Sequence, residues 1–217
     1  MVAVRVDRDP RLTIATLLAV AAAGWAAMST HPTHGSGPAT VFLMWNVMMV
    51  AMMLPSLLPW LYLFEGERVT SFVAGYLTIW VVYCALATIA QVYLGVGVRA
   101  TPTLSGALLI GAGAFQLTPL KAACLRACRS PIGLLLSRWR SDRMWAFRTG
   151  LAHGVHCLGC CWALMALAFV LGVMNLWWMA VLTLVMSVEK LAPSGVTASR
   201  AIGVALLVSG VSVLLVS

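Results

Sequence analysis

The sequence predicts an all-α fold: a polytopic transmembrane helical bundle of about seven helices with a cytoplasmic N-terminus. Three observations predict it. The chain is 62% hydrophobic and only 9% charged, with a mean hydropathy of +0.97, whereas a soluble domain carries about 25% charged residues. Apolar runs of the length that crosses a bilayer recur along the whole chain. The basic residues then fall almost entirely on one side of the runs. The 217 residues read as a single integral membrane domain, 1–217, with little left for a soluble one.

The first run, 12–29, follows Arg5, Arg8 and Arg11. It resembles a signal peptide but is long for one and lacks a clear small-residue cleavage site, so a retained helix is expected. HPTHGSGP, 31–38, is rich in Gly and Pro and reads as an external loop. Further spans are expected at 40–59, 70–94, 103–123, 149–172, 174–190 and 200–217. The fifth and sixth form a tight hairpin around Val173, and the last is short. The polar stretch at 124–148 can hold a basic amphipathic helix on the inner membrane face. A positive-inside loop is the preferred reading.

With seven spans, thirteen of the fourteen Lys and Arg residues lie on one side and only Arg99 on the other. The positive-inside rule makes that side cytoplasmic and puts the chain in the cell's inner membrane as a multi-pass protein. The net charge of +8 then reflects orientation. No basic run with interleaved aromatics points to nucleic acid. There is no internal repeat.

Residues 44–56 read MWNVMMVAMMLPS. On a helix, Met44, Met48 and Met52 share about 80° of arc, and Met49 and Met53 widen it to about 180°. Val47, Val50, Ala51 and Leu54 take the other half, which is expected to face lipid. Met fills gaps between helices, and its thioether is also a soft ligand that favours Cu(I). Asn46 needs a partner at membrane depth, and Pro55 is expected to kink the helix end.

Five of the six cysteines cluster. PLKAACLRACRSP carries Cys124 and Cys128, and HGVHCLGCCW carries His153, His156, Cys157, Cys160 and Cys161. Four-residue spacing puts Cys124 with Cys128, His153 with Cys157, and His156 with Cys160 on shared helix faces. If the fourth span runs inward and the fifth outward, Cys124, Cys128, His153 and Cys157 meet at one depth. His156, Cys160 and Cys161 then form a deeper set toward Met48, Met49 and Met52. Mixed thiolate and imidazole ligands suit Cu(I) or Zn²⁺. Cys157-Leu-Gly-Cys160 is also a C-x-x-C, but without a thioredoxin-like context. Cys84 stands alone and is expected to be a small buried hydrophobe. Glu189 and Lys190 end the sixth span. They either snorkel to the headgroups, or Glu189 faces the bundle to move protons or orient a ligand His.

Taken together, MWNVMMVAMMLPS, PLKAACLRACRSP, GLAHGVHCLGCCWALMALAFVLGVMNLWWM and SVEKLAP resemble a bacterial family of predicted metal-binding integral membrane proteins, a domain of unknown function. The resemblance runs from about Met44 to Gly203. It implies metal binding and leaves the metal and the activity open. The family pattern carries more Cys and His around its first Cys motif; here that segment ends at Cys128 and Arg129.

The expected function is binding of a soft metal ion, preferably Cu(I) with Zn as the other choice, for metal handling or delivery. The expected ligands are Cys124, Cys128, His153, His156, Cys157, Cys160, Cys161, Met48, Met49 and Met52. No catalytic step is assigned. The alternatives are a secondary transporter of a metal or small solute, a membrane thiol oxidoreductase, and a structural subunit of a membrane complex. Expected partners are the lipid bilayer, the metal ion and other membrane proteins or a second copy of the chain, and not nucleic acid.

Overall fold

The structure is a computed structural model that describes residues 10–30, 37–61, 64, 67–95, 101–130, 142–171 and 175–216. The expected loop at 31–36 and the centre of the basic connection, 131–141, lie outside the described residues. Among those described, all regular structure is helical: α1 (Pro10–Thr30), α2 (Pro38–Met53), α3 (Glu67–Val92), α4 (Pro102–Gln116), α5 (Pro119–Arg129), α6 (Arg143–Ala166), α7 (Leu176–Leu191) and α8 (Gly195–Val216). Proline opens α2, α4 and α5, where a missing N–H costs nothing. Asn175 caps α7 by accepting from the amides of Trp177 and Trp178.

Four helices are long and apolar enough to cross a membrane, five if the bent α4–α5 pair counts as one span. The sequence predicts seven. α7 has 16 residues, which at 1.5 Å per residue reaches about 24 Å against a hydrocarbon core of about 30 Å. The expected fourth span, 103–123, is not one straight helix. α4 and α5 meet at 65°. Pro119 cannot continue a helical ladder, so the amides of Leu117 and Thr118 fall back on the carbonyls of Ala114 and Phe115. The Thr118 hydroxyl then caps α5 by accepting from the Lys121 amide at 3.2 Å. Pro55 has a milder effect, tightening Leu54–Leu57 to a 3₁₀ turn.

α2, α3 and α6 form the centre. Trp45 lies near Tyr83 of α3 and Phe169 beyond α6, while Trp60 lies near Phe72 and His153. These contacts run α2 antiparallel to both neighbours. α3 and α6 run parallel and nearly touch. A methyl group on Gly75 would stand 2.1 Å from the Phe147 carbonyl oxygen, and one on Gly150 2.1 Å from that of Phe72. α4 and α8 form a second close pair, antiparallel, in which Gly106 faces Gly210 and Gly113 faces Gly203.

The methionine helix is not two-sided as expected. Met48, Met49, Met52 and Met53 are buried, but so are Ala51 and Leu54. α1 covers that flank, with Gly24 against Ala51. Leu43 is a large exposed hydrophobic residue of α2. Asn46 needs no neighbouring helix, because its side-chain amide donates to the Phe42 carbonyl one turn back at 2.8 Å.

Candidate metal centre

The site lies where α3, α5, α6 and α7 converge on the end of α2. Cys157 is its centre. Its helix approaches α3 at Gly150 and Gly154, which brings Tyr76 onto it: the phenol oxygen stands 3.2 Å from Cys157 Sγ. The side chains of Cys128 and Cys160 also interact with Cys157, as does Cys161. Cys160 and Cys161 are drawn along their own helix, both thiols donating to the Cys157 carbonyl at 3.1 and 2.9 Å. Lys190 enters from α7. Its Nζ stands 3.1 Å from Cys157 Sγ and 3.5 Å from Met53 Sδ.

Lys190 follows Glu189, and the two diverge. Glu189 is buried and pairs with Lys121 of α5 at 2.7 Å. Gln116, the last residue of α4, donates to its other carboxylate oxygen at 2.7 Å. Ser199 of α8 donates to Gln116 in turn. Lys121 also donates to the Cys160 carbonyl, so one ammonium ties α5 to both α6 and α7. Arg129 closes the end of α7 by donating to the carbonyls of Glu189, Ala192 and Pro193. Of the two sequence readings of Glu189, the bundle-facing one describes the structure. Lys121 and Lys190 are not loop charges either, because both are buried.

The sequence-predicted ligands separate into groups. Cys128, Cys157, Cys160 and Cys161 come together. Cys124 lies one turn before Cys128 on the same side of α5 and is half-buried against Gly159 of α6. His153 is buried in an aromatic box of Trp60, Phe72 and Tyr76, with ring centroids 4.1, 5.9 and 5.5 Å away. Among the described residues, neither of its ring nitrogens has a hydrogen-bond partner. His156 is half-buried, its Nδ1 within 2.7 Å of the Ala152 carbonyl. Met48, Met49 and Met52 are buried in the same core, Met48 and Met49 about one turn before Met53 and Met52 directly before it. Cys84 is buried in α3 away from the cluster. Among the described residues, no three His, Cys, Asp or Glu side chains are arranged to hold a metal ion. Cys160 and Cys161 are engaged with a backbone carbonyl, and an ammonium stands beside Cys157.

The sequence reading missed Tyr76, Lys121, Gln116 and Met53 as parts of this centre. An available signal was the ionisable residue set among apolar ones, as Lys121 and Lys190 are, since such residues mark function in a low-dielectric bundle.

The cluster offers soft donor types: thiols and a thioether, with an imidazole nearby. A comparison with known families agrees with that chemistry. The model of the PpoB2 family, described as a copper chaperone, matches residues 42–213. The chain belongs to this family, and its role is copper handling in general. No curated protein matches the chain. No solved structure matches it.

Proposed function

We propose that this copper chaperone family member is an integral membrane protein that carries Cu(I) as cargo on a sulfur site centred on Cys157. Cys128, Met53, Cys160 and Cys161 are the nearest further donors, and His153 lies one turn away with no partner for its nitrogens among the described residues. The observation that carries the reading is the meeting of buried thiols from α5 and α6 with a thioether from α2. Soft ligands favour Cu(I) over hard ions. Cys160 and Cys161 join a metal by turning away from the Cys157 carbonyl, a rotamer change with no backbone movement. A chaperone must also release its cargo, and weak backbone hydrogen bonds that take the thiols back provide a resting state. The four or five helices of crossing length support placement in a membrane; a cytoplasmic N-terminus follows from the basic residues only on a seven-span count. Cys124, His156, Met48, Met49 and Met52 stand outside the innermost group, where they can serve entry or exit.

The test is copper content and X-ray absorption of reduced protein purified in detergent. Wild type is expected to bind copper with sulfur ligation. Joint Ser substitution at Cys128, Cys157 and Cys160 is expected to abolish it, and Cys84→Ser to leave it unchanged. Equal copper in the triple variant and wild type would overturn the site.

One observation favours a second reading, a copper transporter. A broken helix next to a buried ion pair, α4–α5 with Lys121 and Glu189, is a feature of transport sites. Copper uptake into sealed vesicles that is lost on changing Glu189 would favour it over simple carriage.

A further inference from the structure

Lys190 has an unusual set of partners for a buried lysine. Its residue is only 8% exposed. Among the described residues, no carboxylate lies within ion-pair distance of it. The nearby Glu189 carboxylate is held by Lys121 and Gln116. What surrounds the Lys190 ammonium is sulfur: Cys157 at 3.1 Å and Met53 at 3.5 Å. Tyr76, Cys160, Cys161 and His153 are the further titratable groups near it, from α3 and α6. Burying an ammonium without a carboxylate is expensive, and an apolar side chain of the same length avoids the cost.

We infer that Lys190 is a tethered placeholder cation: its ammonium occupies the sulfur site in the copper-free protein and is displaced when Cu(I) enters. This rests on the copper reading above. The two cations carry the same single charge. Exchange of one for the other at the sulfurs therefore adds no charge there, while a divalent ion adds one. The displaced ammonium remains nearby on its four-carbon stem, so a divalent ion meets extra repulsion as well. The site thus discriminates for Cu(I) and against Zn²⁺ by charge in addition to ligand softness.

The framework lets the side chain move alone. Lys121 and Gln116 fix Glu189, and Arg129 holds the carbonyls at the end of α7. The backbone of α7 stays in place. Lys190 is the penultimate residue of its helix, so its stem can carry the charge past the helix end. The exchange breaks the N–H···S contacts and forms metal–sulfur bonds, each cysteine that enters as a thiol gives up its S–H proton to solvent, and no oxidation state changes.

The chain has only two lysines, Lys121 and Lys190, which makes the test simple. Reduced full-length protein in detergent is treated with an amine-acylating reagent, alone, with Cu(I) or with Zn²⁺, and labelling is located by mass spectrometry. Copper binding is measured on the same samples. Bound Cu(I) is expected to raise Lys190 labelling severalfold while Lys121 stays protected, and Zn²⁺ is expected to leave both protected. Copper bound with Lys190 still protected overturns the placeholder and leaves the copper site standing. No copper bound overturns the copper reading, and the placeholder with it. Lys190→Met tests the charge argument: it is expected to retain Cu(I) and to narrow the preference for Cu(I) over Zn²⁺. A preference equal to that of wild type overturns discrimination by charge.

Discussion

The bundle contains two pairs of helices in near backbone contact, and they serve opposite ends. In α3–α6 the glycines lie opposite backbone carbonyls, and the helices run parallel through the centre of the molecule. Just past the contact stand Tyr76 and Cys157. In α4–α8 four glycines meet two by two, yet little of α8 is inside: 17% of its apolar window is buried, against 56% for the span that includes α6. Val204, Val208, Val211 and Leu215 of α8 are exposed. Small residues let two backbones approach in both pairs. One pair uses the approach to fix a chemical group. The other makes a strut whose bent extension, α5, swings Lys121 and Cys128 into the centre.

The latch between strut and centre is the Lys121–Glu189 pair, and breaking it gives the largest expected effect. Removing one partner of a buried pair costs about 3–5 kcal/mol, because the other charge is left stranded. Glu189→Gln keeps the shape and strands Lys121. Its thermal unfolding in detergent is expected to fall well below that of wild type. The exposed pair of Arg143 with Glu67, 3.0 Å apart, is the control, since surface pairs contribute about 0–1 kcal/mol. A Glu189→Gln protein as stable as wild type would mean that the two regions are held together by packing alone.

The glycines give the next effect and separate the two pairs. An alanine at Gly150 meets a carbonyl oxygen at 2.1 Å, and backbone cannot yield. At Gly106 the nearest atoms belong to the Leu214 side chain at 2.6 Å, which can turn away. Overpacking costs about 1–3 kcal/mol, more where nothing relaxes. Gly150→Ala is expected to lie at or above the top of that range and to lose copper, while Gly106→Ala lies near the bottom and keeps it. Gly111, with open space around it, gains about 1 kcal/mol of helix propensity on change to Ala. Unfolding midpoints and copper content of the three variants rank the pairs. Equal losses at Gly150 and Gly106 would erase the distinction between centre and strut.

The helical class was legible because apolar runs and turn residues leave few other solutions for such a composition. The gathering of Cys128 with Cys157 was approachable too, from depth along two consecutive helices. Periodicity fixes which residues share a face but not which helix lies opposite, so His153 was grouped with thiols although aromatic rings surround it. Lys121 and Lys190 sit at the ends of expected spans, where snorkelling is the common arrangement, so sequence alone reads them as charges marking one membrane side. Only the 65° break at Pro119 turns Lys121 inward. The flank of α2 expected to face lipid is covered by α1, a tertiary fact with no local signal.

The smallest expected effect concerns the methionines of α2, and it separates ligand from filler. Four of them are buried together, but Met53 is the one that reaches the Lys190 ammonium, at 3.5 Å. Exchange of Met for Leu conserves volume and costs less than about 1.5 kcal/mol, so none of these variants is expected to unfold. Met53→Leu removes one thioether from the centre and is expected to lower Cu(I) affinity in competition with a chromophoric copper chelator. The double change of Met48 and Met49 to Leu is expected to lower it less, because those sulfurs lie farther along α2. If the double variant weakens copper more than Met53→Leu, the metal sits deeper along the methionine helix than Cys157, toward the expected set of His156, Cys160 and Cys161. If neither changes it, the whole stripe is packing, and the thiols of the α5–α6 contact hold the copper without it.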